Sequence, residues 1–277
     1  MRYSRRDLMK LATAVVPLAL MPQAAVGHPR SDELPSLLPV TDGFPSHPPE
    51  LVREMVTVAH FDLKRVRELV SGRPALARAA WDWGFGDWED ALGAASHMGN
   101  RAIAEYLISQ GARPSIFSAT MLGQLEAVKA LIAAQPGVQR ISGPHSISLL
   151  AHAKAGKEGA RKVYDFLQSL GDADREPEPP LAESNRAKLL GTYVFGIGAS
   201  QAVDVTLEHN RFLNSDQLTW TRKGTMGRPL YHLGEQAFYP AGASSVRIKF
   251  AEENGGMTMT VHDPEPVLMA RRMQPAK

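Results

Sequence analysis

The length, composition and charge of the chain exclude several classes of protein. It has 277 residues, 44% of them hydrophobic and 22% charged, which is typical of one or two globular domains and excludes a disordered or collagen-like protein. The formal charge is +2, but the 27 basic and 28 acidic residues after position 27 give −1, so no basic face for nucleic acid is predicted. The chain has no cysteine, which excludes disulfides, thiolate zinc sites, iron–sulfur clusters and a cysteine nucleophile.

The first 27 residues have the pattern of an export signal. Arg5 and Arg6 stand next to each other, and an apolar pair and Lys10 follow, an order that resembles a twin-arginine export motif. The apolar stretch 11–21 is shorter than the roughly 20 residues that a membrane-spanning helix needs. The resemblance implies a periplasmic protein that is not held in a membrane once the signal is removed. The alternative is a cytoplasmic amphipathic start in which the two arginines adjoin by coincidence.

Small residues at the end of this leader predict where it is cut. Positions 25 and 27 are alanine and glycine, so cleavage is predicted between Gly27 and His28. Residues 28–43 contain proline, serine and acidic residues without periodicity. A flexible N-terminus of the mature chain is therefore predicted there.

A helical repeat is predicted over residues 44–174. Its clearest unit, 91–112, has a first helix with Leu92 and Ala95, a turn at Gly99 and a second helix with apolar residues three and four positions apart. This unit resembles an ankyrin repeat, and weaker or cleaner copies have their turns at positions 61, 123 and 156. The resemblance implies an α-solenoid of about four ankyrin repeats, with tetratricopeptide pairing as the alternative.

The connection between the first two units holds three of the four tryptophans of the chain. Aromatic rings rimmed by acidic groups are typical of a protein-binding surface, and ankyrin proteins bind through such fingers. Trp81 is predicted to pack inward, Trp83 and Phe85 to be exposed, and Asp82, Asp87 and Glu89 to form an acidic rim. The alternative is that the rings only fill the gap between two repeats. The predicted partner-binding residues are Trp81, Asp82, Trp83, Phe85, Asp87 and Trp88.

A β domain is predicted after a proline-rich linker over residues 175–182. Within 183–277, a short helix at 184–190 is followed by eight segments with strand periodicity. The order Gly191-Thr192-Tyr193 and the motif at 229–240 resemble the lipocalin-like β domain behind many bacterial hydrolases, which implies a small antiparallel barrel with an accessory role. The predicted strands are 192–195, 203–208, 217–221, 228–233, 237–239, 245–250, 257–262 and 267–272. The fold class is therefore α+β with two structural domains.

The sequence contains no recognised catalytic or metal-binding motif. None of the nine histidines stands in His-Glu-x-x-His or His-x-His spacing. His60, His97 and His152 fall at helix ends, where a histidine commonly bonds a neighbouring backbone group, and His145 precedes a helix start. No metal ligand, cofactor or catalytic residue is predicted.

These features favour an exported, non-enzymatic module that binds a protein partner of unknown identity through ankyrin fingers and inner helices. The alternative is a small-ligand carrier, or an accessory subunit of a periplasmic hydrolase, with the ligand site in the β domain. A deep, dry cavity within residues 191–272 would favour the carrier, and a filled barrel interior would favour the binding module.

The twin-arginine prediction can be tested by replacing Arg5 and Arg6 with lysine. The receptor that reads the motif requires the paired arginines, so the precursor should stay in the cytoplasm. Fractionation followed by immunoblotting measures this, and the wild-type chain is the control. A shortened form of the double variant in the periplasm would contradict the prediction.

Overall fold

The computed structural model describes residues 43–197, 201–210 and 215–273. The predicted signal residues Arg5 and Arg6 and the cleavage position Gly27/His28 therefore lie outside the described residues. From Ser46 onward the chain forms one compact unit. Within the described ranges, no helix has both the length and the apolar character needed to span a membrane.

Eight helices form four helix–turn–helix pairs in the first part of the chain. Within each pair the helices contact each other, and the first helix of each pair contacts the first helix of the next pair. Apolar side chains from both helices of each pair fill the space between the pairs. The pairs are α1 (Pro49–Val58) with α2 (Leu63–Gly72), α3 (Ala91–His97) with α4 (Arg101–Ser109), α5 (Ile116–Met121) with α6 (Leu125–Ala134), and α7 (Leu149–Ala155) with α8 (Arg161–Leu170).

The turn within the second pair requires glycine. Gly99 has φ +71°, and a Cβ atom at this position would lie 2.2 Å from the carbonyl oxygen of Ala155. Only glycine satisfies both the left-handed conformation and the close approach of Ala155, the last residue of α7 in the fourth pair. In the fourth pair the left-handed residue is Lys157, with φ +52°, and not Gly156, whose φ is −71°.

A short hairpin replaces a simple connection between the first two pairs. Strand β1 (Ala80–Asp82) pairs antiparallel with β2 (Trp88–Asp90). The loop between them contains three residues with positive φ: Gly84, Phe85 and Gly86. The tryptophan-rich segment is therefore an ordered hairpin set against the helices.

The second part of the chain is a closed antiparallel barrel. Short helix α9 (Glu183–Leu189) leads into it, and each strand pairs with its sequence neighbours until the last strand pairs with the first. Its strands are β3 (Gly191–Val194), β4 (Ala202–Asn210), β5 (Ser215–Arg222), β6 (Arg228–Gly234), β7 (Ala237–Pro240), β8 (Arg247–Glu253), β9 (Gly256–Asp263) and β10 (Glu265–Arg272). The prediction of a small antiparallel barrel is confirmed, because period-2 alternation with one face buried specifies both the strands and the face that turns inward.

The barrel core is filled by side chains from all eight strands. The ring of Phe250 lies 5.5 Å from that of Tyr193 and 5.7 Å from that of Phe238, both near edge-to-face. Met259 and Ile248 are completely buried beside them. Close packing of this kind uses the volume that a lipocalin-like carrier would keep for its ligand.

Polar contacts join the barrel to the helical part and to the segment between them. The guanidinium of Arg175 lies 3.7 Å from the ring centroid of Tyr231, and the backbone N–H of His232 donates to Glu178 at 2.8 Å. The predicted linker therefore packs against β6. At the other contact, the N–H of Gly242 donates to the hydroxyl of Ser146 at 2.8 Å.

Candidate metal centre

The hairpin directs one carboxylate into the protein. Strand β2 alternates exposed, buried and exposed, so Trp88 and Asp90 face outward while Glu89 faces inward with 1% exposure. Asp90 also begins helix α3, because its side chain accepts a hydrogen bond from the N–H of Gly93. The period of two and the helix cap together fix the direction of Glu89.

Three imidazoles converge on this carboxylate from three separate parts of the chain. The Nε2 atom of His97, at the end of α3, lies 2.9 Å from Oε1 of Glu89. The Nε2 atoms of His60, after α1, and of His145, before α7, lie 3.5 and 3.4 Å from Oε2. One potential ligand atom from each of the four residues lies within 4.8 Å of every other. We call these four residues the His₃Glu cluster.

Hydrogen bonds on the far side of two rings set which nitrogen faces the cluster. The Nδ1 atom of His60 lies 3.0 Å from the carbonyl oxygens of Val56 and Thr57. Carbonyls only accept, so Nδ1 carries the proton and, in the neutral ring, Nε2 presents its lone pair toward Glu89. The Nδ1 atom of His145 donates in the same way to Asp87 at 2.9 Å. A lone pair aimed at a carboxylate is unfavourable unless a proton or a cation lies between them.

Asp87 links the His₃Glu cluster to the barrel. It is 3% exposed and accepts hydrogen bonds from the backbone N–H of His145 at 2.9 Å and from the guanidinium of Arg228, on β6, at 3.2 Å. Arg228 also donates to the carbonyl of Ala241 at 3.1 Å. A Cβ atom on Gly242 would lie 2.0 Å from Cγ of Asp87. The barrel thus holds Asp87 in place, and Asp87 holds His145.

The backbone that carries His145 is strained. His145 and Ser146 both have φ +59°, a conformation that costs of order 1–3 kcal/mol for a residue other than glycine. The backbone N–H of His145 donates to the carboxylate of Asp87, and the hydroxyl of Ser146 accepts the backbone N–H of Gly242. Strain sustained by specific bonds of this kind is concentrated at functional sites.

The buried groups shift one another's pKa values. Burial would raise the pKa of Glu89, but hydrogen bonds from His145 and His97 outweigh it and hold that pKa well below its usual range. Burial would lower the pKa of His145, but Asp87 and Glu89 raise it to about 9. Burial lowers the pKa of His97, offset only in part by Glu89. Behind the cluster, burial lowers the pKa of His152 to about 4.

The structure places the predicted partner-binding residues differently from the prediction. Trp81 and Trp83 both pack against the helical core, and Trp83 also donates its indole N–H to Glu89 at 2.8 Å. Phe85 packs at the edge of the barrel core, 6.1 Å from the ring of Trp220. The prediction that Trp83 and Phe85 are exposed is therefore wrong. Trp88 is the exposed ring, at 63%.

The predicted acidic rim is also corrected. Asp87 and Glu89 are buried, whereas Asp82 is partly exposed and accepts a hydrogen bond from the N–H of Gly84. A carboxylate normally stays in water, so the sequence rule puts acids on the outside. The rule fails here because nearby histidines and Arg228 supply donors and positive charge for both carboxylates.

The sequence prediction did not connect the four residues of the His₃Glu cluster. They are 29, 8 and 48 positions apart along the chain, and no local spacing motif joins them. One signal was present: His60 lies in the turn of the first helix pair, and His97 is the last residue of α3, next to the turn of the second pair. Stacking of pairs brings equivalent positions together, and the two rings are 4.9 Å apart between centroids.

No protein-family model matches the chain, and no match was found among curated proteins or solved structures. What the site can bind is therefore inferred from its own atoms.

The contact between barrel and helices predicts a large effect of removing Arg228. In Arg228→Met, the buried carboxylate of Asp87 loses its permanent positive partner, which costs about 3 kcal/mol of unfolding free energy, the low end for a buried pair because His145 remains. Urea denaturation measures this. Arg161→Met is the matched control, because that arginine is 63% exposed, and should change stability by less than about 1 kcal/mol. Equal effects of the two substitutions would contradict the proposed role of Arg228.

Proposed function

We propose that this protein binds one divalent transition-metal ion at the His₃Glu cluster. The observation that carries the proposal is the convergence of three imidazole Nε2 atoms on one buried carboxylate. Atoms about 2.0–2.2 Å from a tetrahedral ion lie about 3.3–3.6 Å apart. The Nε2 atoms of His60 and His145 lie 3.5 and 3.4 Å from Oε2 of Glu89, within this range. The Nε2 atom of His97 lies 2.9 Å from Oε1, which is a hydrogen-bond distance that would lengthen around an ion.

The hydrogen-bond acceptors around the cluster are those to which metal-ligating histidines donate. A ligating histidine commonly donates its other N–H to a carboxylate or a backbone carbonyl, which fixes the ring and its tautomer. Asp87 does this for His145, and the carbonyls of Val56 and Thr57 do it for His60. An ion among the Nε2 atoms would also remove the repulsion between the Nε2 lone pair of neutral His60 and Glu89.

The ligand types favour a first-row transition metal over calcium or magnesium. Calcium and magnesium prefer a full set of oxygen ligands, whereas imidazole suits zinc, copper, iron, cobalt and nickel. Zinc accepts three nitrogen ligands and one oxygen ligand, and its filled d shell imposes no coordination geometry of its own. Zn²⁺ is therefore the first ion to test.

The competing explanation is a purely structural network of ion pairs. Asp87 and Glu89 can be balanced by Arg228 and a protonated His145 without any metal. That network needs only one histidine beside Glu89, yet His60 and His97 also direct Nε2 toward the same carboxylate. The two explanations differ in what happens when Zn²⁺ is added.

Calorimetric titration of the full chain with Zn²⁺ distinguishes them. One ion per chain is expected, and Glu89→Gln and His60→Ala should each weaken binding at least about tenfold. Replacing the partly exposed His60 disturbs the core little, so it remains informative if Glu89→Gln misfolds. His209→Ala is the control, because the side chain of His209 is 56% exposed and is not part of the His₃Glu cluster. Unchanged Zn²⁺ affinity in both cluster variants, or no binding to the wild-type chain, would refute the metal centre.

A second candidate function is protein binding by an exported repeat protein, with the four helix pairs as ankyrin repeats. The arrangement of the pairs supports this reading, and one exposed aromatic ring favours it specifically. Trp88 is 63% exposed at the hairpin, and a tryptophan in water forgoes burial of roughly 200 Å² of apolar surface at about 25 cal/mol per Å². The partner would be a protein with an apolar groove.

Trp88→Ala tests this second function. The exposed ring contributes little to the core, so the variant should keep the melting temperature of the wild-type chain and lose at least about tenfold in affinity for a captured partner. Crosslinking from the hairpin in periplasmic extract, followed by titration of the purified partner, measures this. Trp83→Phe is a contrasting variant, because it removes the hydrogen bond to Glu89 and should act on stability. Full partner affinity in Trp88→Ala would exclude the hairpin as the binding surface.

A further inference from the structure

A cavity of about 400 Å³ lies between the helices and the barrel. His60, His97 and His145 form one side of it, and residues of α7, α8 and β6 form the others. Its volume falls in the range of small-molecule sites. The cavity lies outside the filled core of the barrel, whereas the strand pattern had suggested a ligand site inside the barrel.

The His₃Glu cluster turns one face toward this cavity. The three imidazoles line it, whereas the side chain of Glu89 has no exposure and lies behind them. An ion held by these four residues would therefore have the carboxylate on its closed side and the cavity on its other side. Four protein ligands already complete a tetrahedral set, so a ligand that enters from the cavity would make the ion five-coordinate, a number that zinc reaches at some catalytic sites.

The remaining walls are mostly apolar. Large apolar groups come from both parts of the chain, and the phenol of Tyr231 is held with its ring against the guanidinium of Arg175. Such walls favour the carbon skeleton of a small molecule over a hydrated inorganic anion. The large apolar and aromatic residues of the wall are Met98, Ile147, Leu150, Tyr164, Met226 and Tyr231.

The charges around the cavity favour an anion. A divalent ion with Glu89 keeps one positive charge in excess, because Asp87 is already paired with Arg228. Lys154, on α7, lines the cavity and is exposed. Arg175 pairs with Glu178 at 3.1 Å, and Asp174 accepts the hydroxyl of Ser148 at 2.6 Å. Asp174 also lines the cavity and keeps its negative charge, which offsets the charge of Lys154, so the excess positive charge is that of the metal side.

We propose that the cavity binds a small aromatic or branched aliphatic monocarboxylate, whose carboxylate coordinates the metal on its cavity side while its carbon skeleton packs against the apolar walls. This inference rests on the proposed metal centre. The carboxylate becomes a fifth ligand on the cavity side of the ion, and the skeleton gains from leaving water. Lys154, on the cavity wall, adds a positive charge to that side.

Cobalt substitution tests this directly, because the visible absorption of Co²⁺ reports changes in its coordination. The full chain is loaded with Co²⁺ and titrated with benzoate, acetate and benzyl alcohol. Benzoate should change the spectrum saturably and bind at least about tenfold more tightly than acetate, since the ring adds apolar burial. Benzyl alcohol, which has the ring without the charge, should bind more weakly than benzoate. Glu89→Gln should weaken Co²⁺ binding at least about tenfold and change the spectrum of the bound ion.

A matched pair of lysine variants locates the anion. Lys154→Met should weaken benzoate binding about threefold or more, because it removes the nearby positive charge. Lys162→Met, at an exposed position on α8 that is not part of the cavity wall, should leave benzoate binding unchanged.

The outcomes separate the two proposals. Failure of Co²⁺ to bind refutes the metal centre. Co²⁺ bound with a spectrum that benzoate does not change refutes the ligand site and leaves the metal centre standing. Acetate binding as tightly as benzoate would mean simple anion coordination and would overturn the assigned role of the apolar walls. Equal effects of the two lysine substitutions would overturn the assigned role of Lys154.

Discussion

The Glu89 carboxylate is buried between the hairpin and the helix pairs, with 1% of the residue exposed. An isolated carboxylate in a protein interior is so unfavourable that it persists only with donors or positive charge around it. Here the hairpin fixes its direction, and the indole of Trp83 and three imidazoles surround it. The helix pairs supply two of those imidazoles from equivalent turns, and the third comes from a strained segment. His60, His97 and His145 all direct Nε2 toward this one buried carboxylate.

The barrel contributes to the same site although it supplies no group to the cluster. Arg228 holds Asp87, Asp87 holds His145 by its ring and its backbone, and Gly242 holds the next residue through the hydroxyl of Ser146. The filled barrel core gives these contacts a rigid base. In this arrangement the β domain positions a group on the helical side and closes one wall of the cavity. This positioning role differs from ligand carriage inside the barrel, the alternative that the strand pattern had suggested.

The sequence predicted the elements well and the site poorly, for a physical reason. Alternation of apolar residues depends only on neighbours along the chain, so eight strands and the helix pairs could be predicted from local patterns. The surroundings of Asp87 and Glu89 depend on residues up to 141 positions away, such as Arg228. In the sequence alone, where those partners cannot be recognised, acidic residues between tryptophans have the pattern of an exposed protein-binding loop. The location of His60 and His97 at the turn ends of successive pairs was a signal that linked distant residues, and its meaning depends on how the pairs stack.

X-ray absorption at the zinc edge, on the full chain with one equivalent of Zn²⁺, tests the central claim most directly. A shell of nitrogen and oxygen atoms at about 2.0–2.2 Å is expected, with outer-shell scattering from three imidazoles. His97→Ala should reduce that scattering to two imidazoles. A spectrum with one imidazole or none, or a six-oxygen shell, would place the ion elsewhere and contradict the account.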